Sequence, residues 1–190
     1  MMQTFLSEPT FQESVAVLST KHIVKQLFEC KQILEAINKT PEGGTQRIDG
    51  KPVFAANHPV TNMFRGYERY LFGYAEATRE ENVHRNYKTE NHWAAITTIM
   101  NELNFNELGG LNELDETLPG WATGWQRERI QLTHRANLYA KDPIWYAQYE
   151  QDHHNLHRVV LDVVCCPDKV RKGTHQPYFY PTHYWANQKP

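Results

Sequence analysis

The sequence predicts an all-α fold of about four to five helices, in one domain over residues 1–190 with an aromatic tail. Two observations lead there: apolar residues recur every three or four positions through four long stretches, and helix-capping residues stand where those stretches begin. A third narrows the choice, because nothing in the chain repeats at solenoid spacing. The length of 190 residues suffices for one core, and the charged fraction of 22% is ordinary for a folded protein.

Each element follows from local pattern. A short helix is expected over 11–17, and Ser19 then caps a longer one to about Asn38, with Ile23, Leu27, Cys30, Leu34 and Ile37 as its buried stripe. NKTPEGGTQRIDGKP is dense in helix breakers and reads as a loop. Asn57-His58-Pro59 opens a second long helix to about His84, with Val60, Met63, Phe64, Tyr67, Leu71, Tyr74 and Ala75 in apolar register. A third helix over 90–103 turns Trp93, Ile96, Ile99, Met100 and Leu103 inward. WATGWQRERIQLTHRANLYAK predicts a fourth, ending near Tyr139, and Asp142-Pro143 caps a short fifth, PIWYAQY. RVVLDVVCC fits a strand or a helix end, and HQPYFYPTHYW an extended strap, so 151–190 is an extension on a helical core of 1–150.

Composition bounds the function. A net charge of −2 argues against gripping nucleic acid mainly by electrostatics, although 101–120 holds five acids and no Lys or Arg, which leaves the remaining chain mildly basic. No apolar run approaches the ~20 residues of a membrane span, and MMQTFLSEPTF lacks the segments of a secretory signal. Cys30, Cys165 and Cys166 make no disulfide framework, so an intracellular, cytoplasmic protein is expected, and separately a monomer. With no P-loop and no G-x-S-x-G, no cofactor is expected, and His153, His154 and His157, without a placed carboxylate or cysteine, predict no metal.

The chemistry-bearing stretch is KHIVKQLFE. In a helix His22, Lys25, Gln26 and Glu29 fall at i, i+3, i+4 and i+7 and share one face. A carboxylate among apolar neighbours needs compensation. Either Glu29 makes a structural ion pair with Arg65 or Arg135, or it lines a cleft with His22 and His58, where a carboxylate and imidazoles can manage protons near neutral pH. Trp121, Trp125, Arg127, Arg129 and Arg135 interleave rings and cations, a composition that serves base stacking and phosphate contact or an ordinary core with surface arginines.

Four segments in order, MQTFLSEPTF, VLSTKHIVKQLFECKQIL, NHPVTNMFRGYERYLFGYAEATRE and THRANLYAKDPIWYAQY, resemble the pyrimidine-dimer DNA glycosylase family, also called endonuclease V, over most of 2–150. The resemblance implies an all-helical protein acting on damaged or modified DNA. It further implies an α-amine nucleophile, here that of Met1, which attacks the sugar C1′, and a glutamate at Glu29 that assists base release and strand cleavage. His22 and His58 match histidines of the phage enzyme, while Phe28 and Gln32 stand where that enzyme has DNA-gripping arginines. An α-amine titrates near pH 8, against about 10.4 for lysine, so part of it is free base at neutral pH. Lys25 or Lys21 is the fallback nucleophile.

Three functions follow: a DNA glycosylase with or without AP lyase activity, an N-glycosyl hydrolase of free nucleotides on the same fold, or a noncatalytic binder. For the first two, Glu29, His22, Met1 and His58 carry the chemistry, and Lys25, Gln26, Asn57, Arg65, Trp125 and Arg135 hold DNA or a nucleotide.

Overall fold

From Thr20 to Lys39 the chain has neither Gly nor Pro, and in the computed structural model it is one helix of 20 residues. The structure describes residues 4–40, 51–103 and 119–156. Residues 41–50 of the expected loop, most of the acidic segment, the strand-or-helix segment RVVLDVVCC and the aromatic strap lie outside them. The described residues are all-α: α1 (Phe11–Ala16), α2 (Thr20–Lys39), α3 (Pro59–Phe64), α4 (Glu68–His84), α5 (Glu90–Glu102), α6 (Gly124–Lys141) and α7 (Glu150–Leu156). They fall into two compact units, one containing the described residues of Met1–Thr4 and Phe11–Pro119, the other Phe5–Thr10 and the described residues of Gly120–Pro190.

In the first unit α2 is the central element, packed by α3, α4 and α5, while α1 packs on α4. All five apolar residues expected on its inner stripe are buried, joined by Ile33 and Ala36. Polar groups at the α2–α4 seam are paired, as burial requires. The Tyr74 hydroxyl donates to Gln26 Oε1 at 2.8 Å. The Asn82 amide donates to the carbonyls of Ile23 (3.3 Å) and Thr78 (2.8 Å). Where α1 meets α4, a Cβ on Gly73 would come within 3.2 Å of the Phe11 ring, so glycine permits the close approach.

The single helix expected over 57–84 is two. Arg65 leaves the helical region (φ −64°, ψ 124°) and Gly66 follows at φ +79°, a turn closed by the Tyr67 N–H on the Phe64 carbonyl at 2.8 Å. The Glu68 carboxylate accepts from the Gly66 N–H at 2.8 Å as α4 begins. The break shifts the register, which explains why Tyr67, expected inward, is exposed. Trp93 also differs from expectation: it is half-buried, stacked on Phe72 at 5.3 Å with the Arg79 guanidinium over its ring. The cap of α3 is His58 rather than Asn57. Arg65 ends this region by donating to the Thr40 carbonyl, to Thr40 Oγ1 (3.1 Å) and to the Ala56 carbonyl (3.4 Å), closing the C-terminus of α2.

In the second unit α6 packs on α7. The segment PIWYAQY is not a continuous helix. Asp142 Oδ1 accepts from the Trp145 N–H at 3.1 Å and makes a turn, a 3-10 stretch follows at Ala147–Tyr149, and the helix proper is α7.

Replacing Gly66 by Ala places a Cβ in the left-handed region, and the expected cost is about 1–2 kcal/mol of stability. A lowered urea midpoint with unchanged slope checks this; an unchanged midpoint contradicts it.

Candidate functional site

Helical spacing gathers the polar residues of α2, and packing then divides them. His22 and Gln26 are buried, Glu29 is half-buried, and Lys25 is exposed. Glu29 occupies an unusual position. Of its neighbours one turn away, Gln26 and Ile33 are buried while Lys25 is exposed and Gln32 half-buried, so the carboxylate stands at the edge of the covered stripe. The next residue shows its influence: burial first, then the Glu29 charge, pushes the Cys30 thiol well above the usual range. Cys30 stays a thiol and is a poor nucleophile.

His22 is held from within its own helix, its Nδ1 lying 3.0 Å from Ser19 Oγ. Ser19 occupies the N-cap position, but its hydroxyl makes no capping bond to the backbone. His58 caps α3 in its place among the site residues, Nδ1 accepting from the Val60 N–H at 3.3 Å. That bond puts the ring proton on Nε2. Burial lowers the His58 pKa below the usual value, so the ring is neutral near pH 7 and offers an N–H donor. Asn57 is exposed. Arg65 is occupied by the backbone acceptors at the end of α2 described above. Met1 lies outside the described residues, as does His157.

In the second unit, two of the five members of the ring-and-cation segment, Arg127 and Arg135, meet the chain's own residues 7–9, and neighbouring groups join them. The Leu6 N–H donates to His134 Nδ1 at 2.7 Å, and the Phe5 ring meets the same imidazole edge-on. Arg127 is buried and donates to the carbonyls of Glu8 (2.6 Å) and Pro9 (3.3 Å). Arg135 donates through Nε to the Ser7 carbonyl at 2.7 Å and pairs with the Glu8 carboxylate at 3.0 Å. The Tyr149 hydroxyl donates to Glu8 Oε1 at 2.5 Å, and its pKa is raised by burial first and then by that bond to Glu8. Burial likewise raises the Asp152 pKa, on the far side of Arg135 at 3.9 Å.

Trp121 is buried, whereas Trp125 is 50% exposed with the Arg129 guanidinium 4.9 Å from its ring centre. Sequence reasoning passed over His134 and Glu8. His134 could have been found, because it sits between Ile130 and Leu138 at intervals of four, on a stripe that is wholly buried. His153 lies against the Ala136 carbonyl at 3.2 Å, and His154 lies 3.7 Å from Glu150.

Residues 2–95 match the family model described as pyrimidine dimer DNA glycosylase. No curated protein and no solved structure matches the chain. The family match spans α1 to α4, the first turns of α5, and with them Glu29, His22 and His58. Among the described residues no helix is long and apolar enough to cross a membrane.

Burial also lowers the pKa of His134, well below its ordinary 6.5, with the Arg127 charge adding to the effect. A depressed histidine pKa means that the unfolded chain takes up protons first as pH falls. Stability is therefore full above about 6.5 and is lost progressively below it. Urea midpoints from about pH 7 to about pH 5 are expected to fall, and to fall less steeply in His134→Gln, whose carbonyl still accepts from Leu6. An identical slope in the variant contradicts the assignment.

Proposed function

We propose that this chain, whose residues 2–95 match the pyrimidine dimer DNA glycosylase family, removes a damaged or modified pyrimidine by an amine-nucleophile mechanism assisted by Glu29. The proposed nucleophile is the α-amino group of Met1. The carrying observation is the family match over residues 2–95, which takes in Glu29, His22 and His58, with the Glu29 carboxylate half-buried on α2. Thr4 is 1% exposed, Phe5 2%, Leu6 0% and Ser7 0%. Chain ends ordinarily fray in solvent unless tied down. Here bonds to His134, Arg127 and Arg135 anchor residues 6–9 within the second unit.

In the proposed reaction the amine nitrogen bonds to C1′ as the glycosidic bond breaks and its electrons leave with the pyrimidine. Glu29 stabilises the cationic sugar and accepts the proton released by the amine. Ring opening, in which the protonated Glu29 returns that proton to O4′ as the C1′–O4′ bond breaks, gives a protonated imine and restores the carboxylate. Loss of a C2′ proton to the same carboxylate expels the 3′ phosphate, and water hydrolyses the imine to free the amine. The neutral His58, with its proton on Nε2, is suited to donate to an oxygen or nitrogen that gains charge, and His22 to a supporting role fixed by Ser19.

One observation favours a second reading. Arg65, Arg127 and Arg135 spend their guanidinium groups on the protein itself, which leaves fewer cations for a duplex backbone. An N-glycosyl hydrolase, or a binder, of free nucleotides needs few phosphate contacts and remains the alternative.

Borohydride reduction in the presence of an abasic oligonucleotide separates the two. The glycosylase reading expects a covalent adduct that disappears when the amino terminus is blocked, and a turnover loss of roughly 10²- to 10⁴-fold in Glu29→Gln. Absence of an adduct together with release of base from a free nucleotide supports the alternative. An adduct that survives amino-terminal blocking and is lost in Lys25→Gln moves the nucleophile to the lysine.

A further inference from the structure

The open side of α2 carries a feature that the proposed chemistry leaves unused. Phe28 is 42% exposed, and Val24, one turn before it, is 41% exposed. Single exposed apolar residues need no explanation. The company kept by Phe28 does. Lys25 precedes it by three positions and precedes Glu29 by four, while Gln32 follows at four and three, so Lys25, Phe28, Glu29 and Gln32 form one contiguous patch. Lys21 extends it by another turn, and both lysines are exposed. Across the seam with α5, the half-buried His92 places its ring 5.5 Å from that of Phe28 at 54°. His92 thus braces the phenyl ring from one side, while Phe28 keeps a large part of its surface in solvent.

An open aromatic ring, held by a second ring and flanked by cations, is the arrangement by which proteins take an unstacked base with its phosphate. We propose that Phe28, braced by His92, is a stacking platform for an unstacked nucleobase of a nucleic-acid strand, with Lys25 and Lys21 meeting the adjacent phosphates. This inference rests on the glycosylase reading, because it supplies that reaction with a surface that receives a base next to Glu29. It also supplies affinity by stacking, where the protein's net charge of −2 supplies little by electrostatics.

Phe28 is exposed enough for its substitution to leave the fold intact, which unchanged thermal unfolding verifies. Titration of the full chain with a short oligothymidylate is expected to show about tenfold weaker binding for Phe28→Leu, which keeps the bulk but removes the ring. Phe28→Trp is expected to bind within about twofold of the parent, with the new indole's emission quenched by the oligonucleotide. Lys25→Gln is expected to weaken binding at low salt and to flatten its salt dependence. Equal binding by Phe28→Leu and the parent, or no binding by either, overturns the platform. The borohydride adduct keeps the two proposals apart. If Phe28→Leu binds normally and is trapped, the platform fails and the glycosylase reading survives. Ring-dependent binding without any adduct keeps the platform and removes the amine chemistry.

Discussion

The constraint on which the amino-terminal half of the account depends is the hydrogen bond from the Leu6 N–H into the buried imidazole of His134. A backbone donor that is wholly covered must find an acceptor. Helix and sheet ladders supply one elsewhere, but residues 4–7 belong to neither. A histidine kept neutral by its burial provides the lone pair. Around that bond the second unit commits two arginines and a tyrosine to Ser7, Glu8 and Pro9. Breaking one partner of such a cluster leaves a charge or a donor without compensation, which costs far more than a surface pair contributes. The amino-terminal segment is thereby as firmly fixed as a core element, although it has no regular structure.

The helix that carries Glu29 shows the complementary division of labour. Toward the protein, His22 is fixed by Ser19 and Gln26 by Tyr74, so polar groups that could face a ligand organise the site instead. Toward solvent, Lys25, Phe28 and Gln32 remain accessible to different degrees, and Glu29 stands at the boundary between the two halves. A carboxylate at such a boundary is partly covered by the protein and partly open to solvent.

Much of this was legible in the sequence, and the remainder was hidden for identifiable reasons. The all-α class and the buried stripe of α2 follow from apolar periodicity, which depends only on neighbours within a turn or two. The division of 57–84 into α3 and α4 was signalled by Gly66, but an apolar register running on to Tyr67 masked it. The capping role of His58 was visible beside Pro59, and its low pKa was not, since burial is a tertiary quantity. The arginines were the least legible. Arg135 meets Glu8, and Arg127 meets the carbonyls of Glu8 and Pro9, across more than a hundred residues of sequence. Local composition therefore left phosphate contact and an ordinary core with surface arginines both open, and could not show that Arg127 and Arg135 bond to residues 7–9.

Hydrogen exchange at the Leu6 amide tests the anchored amino-terminal segment most directly. The account predicts that Leu6 exchanges only through near-global unfolding, with protection comparable to that of the amides of Ile23 and Leu27 in α2. Exchange at the rate of an unstructured segment would contradict it, because the buried imidazole of His134 would then not be holding the Leu6 N–H.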